Sequence, residues 1–311
     1  MNKNPEFYIT FAHPDMWDHS WRNFLPYGIH RTGMALCETT DNPEYAVGTS
    51  VLRLDIQNVV SGEMKTAWYD LGDFTRDKFE ETVGESKAHY FKIQALDEKC
   101  KLPNFHPIPQ THSITLFSEL KDYRALRDLA YYEYDVMHIG RNTDRDGLRI
   151  KATQMIKSRK DLESDAFITQ CRNRCAIPEG VEGKKYTAEH YWAMAAQTKI
   201  VVALPGVGGD WTWRHMECLA MGIPCLTIES PFAMPGNGLD FPIFITVKRD
   251  LSNMLEVIDY YLTHSEEREI IGAAGKEYYD KYCAPIAQAD YIIRTVFNAK
   301  RQINKRLYCC P

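Results

Sequence analysis

No apolar run in this chain comes near the roughly 18 residues a bilayer-spanning helix needs. Its start, MNKNPEFYITFAHPD, is interrupted early by His13 and Pro14, so it reads as a first β-strand and not as a signal peptide. A long basic run is also missing. With a net charge of −5, the composition argues against a protein that coats nucleic acid non-specifically. Paired cysteine spacing is absent: the nine cysteines are odd in number and form no disulfide framework, which fits a reducing compartment. Cys218 and Cys225 lie inside apolar stretches, where cysteine acts as a small core residue. Cys171 and Cys175 have no second pair or clustered histidines to complete a zinc set, so no metal ligands are assigned. Internal repeats and low-complexity tracts are lacking too.

What is present is length and apolar content. At 311 residues, 44% of them hydrophobic, the chain exceeds most single compact domains, and two are expected. Strands are predicted at 7–12, 50–56, 66–71, 89–96, 134–140, 165–171, 199–205, 223–229 and 243–247. Most are continuous apolar runs, as in strands buried on both faces. Helices are predicted at 187–197, with Thr187 as N-cap, and at 211–221, stopped by Gly222 and Pro224. Others follow at 251–263 and 266–282 and after Pro285.

Alternation of strand and helix from about residue 133 predicts a doubly wound α/β domain with a parallel sheet. The first half is less regular, with acidic turn-rich pieces and a proline-rich stretch, LPNFHPIPQTHS, leading into a helix at 118–134. The partition expected is an N-terminal α/β domain at 1–117, a connector helix at 118–133, a C-terminal domain at 134–285, and a last helix at 286–311 that packs back on the first domain.

The segment LPGVGGDWTWRHMECLAMGIPCL, 204–226, carries the chemistry. A strand ending in Pro-Gly-Val-Gly-Gly and opening into a helix converges backbone N–H groups and the positive helix end on one point, which suits a phosphate. Such a turn also lies at the carboxyl ends of the strands, where ligands bind in this fold class. Arg214 and Glu217 share a helix face. The arginine can fork onto a diphosphate, and the carboxylate can take a pair of sugar hydroxyls. The plainer reading is a tight turn followed by a solvated charge pair.

The stretch GDWTWRHMECLAMGIPCL resembles the donor-binding segment of nucleotide-sugar glycosyltransferases with the two-Rossmann, B-type fold, and its order of Gly-Asp, Arg, Glu and Gly-x-Pro is nearest the exostosin-like families. The resemblance implies two Rossmann-like domains, the second binding a nucleotide diphosphate sugar as co-substrate, and no further cofactor. It implies donor-binding roles for Gly206, Gly208, Gly209, Asp210, Arg214 and Glu217. Residues 134–152 are similar to the opening of the donor domain, where Arg141, Arg149 and Lys151 would offset the charge of the leaving diphosphate. Retaining relatives carry a second glutamate eight residues before the first. Gly209 stands there, which points to inversion. No Asp-x-Asp pair directly ends a strand, so a metal-independent mechanism is expected.

Inversion needs a base to take the acceptor's proton. The expected place is the loop after the first strand, HPDMWDHSW, where His13 and Asp15 are the candidates, beside Asp18, His19, Trp17 and Trp21. Two further places carry less: the loop 230–242, with Asn237 and Asp240, and Lys92, a charge inside an apolar strand that must face a cleft, find a partner or snorkel. The acceptor implied is a glycan or another hydroxyl compound, whose identity no motif encodes. A cytoplasmic enzyme is expected, including one encoded by a virus or phage. The rival readings are a non-catalytic sugar-nucleotide or glycan-binding module and a nucleotide-sugar 2-epimerase or hydrolase.

Overall fold

A computed structural model describes residues 5–12, 24–33, 35–47, 50–72, 88–112, 114–143, 146–169, 177–183, 185–207, 209–236 and 242–299. The chain divides into two compact units. One gathers Met1–Thr115, Pro231–Asn237 and Asp280–Pro311; the other gathers Leu116–Ser230 and Gly238–Tyr279.

In the first unit the order is β1 (Phe7–Ala12), α1 (Phe24–Thr32), β2 (Ala35–Thr40), β3 (Ala46–Val47), β4 (Val51–Asn58), β5 (Met64–Asp70), β6 (His89–Lys92) and β7 (Phe105–Pro107). Among the described residues these make one seven-stranded sheet, β2-β1-β4-β5-β6-β7, with β3 on β4. Only β4 opposes the rest: it is antiparallel to β1, β3 and β5, while β1–β2, β5–β6 and β6–β7 are parallel. The sheet is thus mixed and parallel-dominant. Its reversal comes from a short hairpin that the sequence reading passed over. Asn58 Oδ1 accepts the N–H groups of Val60 and Ser61, and Gly62, at φ 71°, closes the turn onto the Asn58 carbonyl.

Strand β1 alternates and is not buried throughout. Phe7, Ile9 and Phe11 enter the core while Tyr8 stays exposed. That core also takes Leu25 and Ile29 of α1, and Ala289, Ile292, Ile293 and Val296 of the last helix. The two helices meet at Gly28, where a Cβ would lie 2.0 Å from the Pro285 carbonyl oxygen, so only glycine permits this approach.

Lys92 finds a partner. It is 1% exposed and its Nζ donates to Asp70 Oδ2 at 2.9 Å and to the Gly72 carbonyl at 3.1 Å. The Tyr90 hydroxyl donates to the same Asp70 oxygen. Because the chain turns at this ion pair and Gln94 adopts φ 54°, the strand predicted over 89–96 stops at Lys92.

The second unit holds α2 (Ile114–Asp128), β8 (Tyr134–Arg141), α3 (Leu148–Ser158), β9 (Ser164–Thr169), α4 (Ala188–Ala196), β10 (Thr198–Val202), α5 (Trp213–Met221), β11 (Cys225–Ile228), β12 (Ile245–Val247), α6 (Met254–Thr263) and α7 (Ser265–Tyr278). A π-turn at Tyr279–Cys283 leads to α8 (Pro285–Val296), which belongs to the first unit. Helix α2 ends six residues short of the predicted 134, since Ala130 turns to φ 53° and Arg127 is drawn into the Thr198 carbonyl and Glu269.

The sheet of this unit runs β9-β8-β10-β11-β12, every pairing parallel. Counted within the unit that is 2-1-3-4-5, the doubly wound order. One face packs on α3 and α6 through Leu148, Ala152, Ile156, Met254 and Ile258. Thr227 points to the opposite face, where His215 of α5 meets it at 2.8 Å. Helix α5 closes as predicted: Gly222 takes φ 75°, and the Ile223 N–H bonds the Cys218 carbonyl at 2.9 Å. Among the described residues no helix is long and apolar enough to cross a membrane.

Candidate functional site

In a 2-1-3-4-5 sheet the strand order reverses between the first and third strands, and the crevice outside their carboxyl ends is where ligands bind. Here those strands are β8 and β10. The loop after β8 runs into α3, and the glycine turn after β10 runs into α5, so two helix N-termini face that crevice.

Arg149 ties the two strand ends together. It is 6% exposed; Nη1 donates to the Arg141 carbonyl at 3.0 Å and Thr143 Oγ1 at 2.9 Å, and Nη2 to the Leu204 carbonyl at 3.1 Å. These bonds make it part of the crevice floor. Arg141 itself is exposed at the end of β8. Lys151 lies on α3 and donates to the Asp250 carbonyl.

Gly206 donates its N–H to the Gly209 carbonyl at 3.0 Å, closing the turn. A Cβ on Gly206 would meet Thr212 Cγ2 at 3.5 Å and Arg149 Nη2 at 3.9 Å, which are ordinary contacts. Packing inside the chain therefore does not demand glycine at 206. Close approach by a ligand would. Gly208 lies outside the described residues, as do His13 and Asp15, the rest of the loop 13–21, Asn237, Asp240 and the Cys171–Cys175 pair.

Asp210 is buried at 3% exposure, and both its oxygens are taken by Arg249, at 3.0 and 3.2 Å. The sequence reading missed Arg249, because the link spans a helix, two strands and the loops between them.

Helix α5 is opened by a capping box. The Thr212 N–H donates to His215 Nδ1 at 3.0 Å, which leaves the ring proton on Nε2, where it donates to Thr227. One turn along, Arg214 Nε donates to the Tyr191 hydroxyl at 2.9 Å, and its guanidinium lies 4.7 Å from the centre of that ring. Glu217, 9% exposed, accepts the Trp192 indole N–H at 3.1 Å. Burial pushes the Glu217 carboxyl up, while Arg214 and the indole bond pull it back in part. The pair is therefore not on a solvated face: Tyr191 and Trp192 of α4 wall it in. TAEHYWAMAAQ shows only a helix with an apolar face, so these walls were not legible as site residues.

Two buried histidines underlie the crevice. His138 donates Nδ1–H to the Val202 carbonyl at 2.9 Å, and its Nε2 has no hydrogen-bond partner among the described residues. Burial, then Arg149 and Arg214, depress His138 to about 4 and His215 to about 3. Both are neutral near pH 7, and the unfolded chain takes up protons first as pH falls below roughly 6.5. Their contribution to stability is complete above that pH and is lost as pH falls toward 4 and 3, by up to about 1.4 kcal/mol per pH unit for each. His106 of the first unit, pushed down to about 4 by burial and then by His89, adds to the same trend. Urea midpoints taken from pH 7.5 to 4.5 should fall, and His215→Gln should flatten the slope. An unchanged slope in that variant would refute the assignment for His215.

Comparison with curated protein sequences gives no significant match. Among solved structures, a glycosyltransferase from Rickettsia africae ESF-5 is similar at 9% identity and a TM-score of 0.45, over 73% of this chain and 69% of that one. Residues 165–294, which include the glycine turn, α5 and the Glu217 region, match the model of a family described as glycosyl transferase-like, and this match supports a glycosyltransferase.

Proposed function

We propose that the second unit binds a nucleotide diphosphate sugar and that the protein transfers the sugar to an acceptor hydroxyl with inversion and without a metal. One observation carries this reading: a buried carboxylate, Glu217, stands one turn behind Arg214 on the helix that follows the glycine turn at the strand-order reversal. In the reaction the acceptor oxygen bonds the anomeric carbon as the bond to phosphate breaks, and the electron pair leaves with the diphosphate. That developing charge is met by the N–H groups of Gly208 and Gly209 in the turn that the Gly206 N–H closes, by the N-terminus of α5, and by Arg214 and Arg141. Arg149 shapes the floor, Asp210 anchors Arg249, and Glu217 holds sugar or ribose hydroxyls.

The acceptor's proton goes to Asp15 or His13, in the loop that follows the carboxyl end of β1. Gly209, where retaining relatives have a carboxylate, supports inversion, and the order of residues over 209–226 supports a place near the exostosin-like families. The run Asp144-Arg145-Asp146 after β8 has the spacing of a metal-diphosphate device, so a divalent cation is the competing source of counter-charge.

The experiment is a hydrolysis and transfer screen of the purified protein over a panel of nucleotide sugars, with and without EDTA. Turnover of one donor that survives EDTA is expected. Turnover abolished by EDTA would overturn the metal-free mechanism, and tight binding with no turnover would favour a sugar-nucleotide-binding module.

A further inference from the structure

A buried carboxylate beside an anion-binding turn repels the ligand unless something neutralises it. Asp210 directly follows Gly209, whose carbonyl closes the turn, and its side chain is 4% exposed. Its partner Arg249 is 50% exposed, so the ion pair has one dry end and one wet end, and the wet end is the cation. The fork onto Asp210 uses one N–H of each terminal nitrogen, and the guanidinium has five in all.

Arg249 is not a loose surface side chain. It follows β12, at the carboxyl edge of the same sheet, in a turn fixed from several sides. The Lys248 N–H bonds Asn253 Oδ1 at 2.9 Å, the Ser252 N–H bonds Asp250 Oδ1 at 2.9 Å, and Lys151 holds the Asp250 carbonyl. Leu251 plugs the turn into the core at 0% exposure, although that requires φ 64°, a conformation costly for leucine. An exposed ion pair contributes only about 0–1 kcal/mol and needs neither a buried partner nor a strained turn. A guanidinium held in place at the mouth of a phosphate turn needs both.

We infer that Arg249, oriented by Asp210, is a specificity-determining cation of the donor site, which grips the second phosphate and makes the site prefer nucleoside diphosphates over monophosphates. This rests on the donor-site reading above. It assigns a role to a residue on β12's loop, which neither the glycine turn nor α5 contains.

The test is calorimetry with nucleoside monophosphates, nucleoside diphosphates and inorganic pyrophosphate, on the full chain. Arg249→Gln should weaken diphosphate and pyrophosphate binding by about 10- to 30-fold, roughly one charge-assisted contact, and leave monophosphate binding within about twofold. Arg249→Lys should recover part of the loss. Since Arg249→Gln alone strands a buried carboxylate, Asp210→Asn with Arg249→Gln supplies a neutral hydrogen-bonded pair. That double variant should melt near the wild type and still lose the preference for diphosphate. Equal weakening of monophosphate and diphosphate, or no weakening, in a folded variant would overturn the inference alone. A wild-type protein that binds none of these probes would overturn the donor-site reading, and this inference with it.

Discussion

Alanine at position 217 is expected to lower the rate of sugar transfer by about two to three orders of magnitude, the scale on which a directed polar contact in a transition state acts. Glu217 is walled by Trp192 and Arg214, so truncation removes the acceptor for the indole N–H as well as the group that orients the ligand's hydroxyls. The helix should survive, because its capping box at Thr212 and His215 and its Gly222 stop lie elsewhere. Glu217→Gln separates the two roles. It keeps an oxygen for Trp192 and gives up the charge, so its melting temperature should stay near the wild type while turnover falls. Steady-state kinetics on the donor found by the screen, together with a far-ultraviolet spectrum, checks both variants. Full activity in a folded Glu217→Ala protein would make α5 structural only.

The second large effect falls on stability. Lys92→Met should destabilise the protein by about 3–5 kcal/mol, the usual result of removing one partner from a buried ion pair. Asp70 is 0% exposed; it keeps the Tyr90 hydroxyl and the Gly72 N–H in the variant but loses the ammonium that donates to it at 2.9 Å. Urea denaturation at pH 7 measures the loss. The sign can be tested further: Asp70→Asn placed on Lys92→Met removes the stranded charge and should restore much of the stability. A Lys92→Met protein as stable as the wild type would mean that the pair is solvated in solution.

Much of the second unit was readable because its cues are local. Thr187 caps α4, where its hydroxyl accepts the His190 N–H at 3.2 Å, and Gly222 stops α5, each by chemistry within a few residues. Continuous apolar runs announced strands buried on both faces, and the parallel order followed from alternation. The first unit was harder for a physical reason. Strand β2, ALCETT, is exposed over most of its length, and β7 has three residues, so neither shows an apolar run. The direction of β4 is set by a hairpin whose signal is a single asparagine and a glycine.

At the site, the residues on the glycine turn and its helix were legible, since they are contiguous. Their partners were not. Tyr191 and Trp192 come from the preceding helix, Arg249 from two strands later, and Arg149 changes character because two carbonyls that sequence cannot place draw it inward.

The passage of α8 into the first unit has a consequence in time. Ribosomal synthesis delivers Ile292, Ile293 and Val296 last, yet they close the core that Phe7, Ile9 and Leu25 begin. All of the second unit's residues are made between these two moments. The core of the unit that emerges first therefore cannot close until the last helix has been made, and until then the Gly28 face of α1 lacks the helix that packs on it.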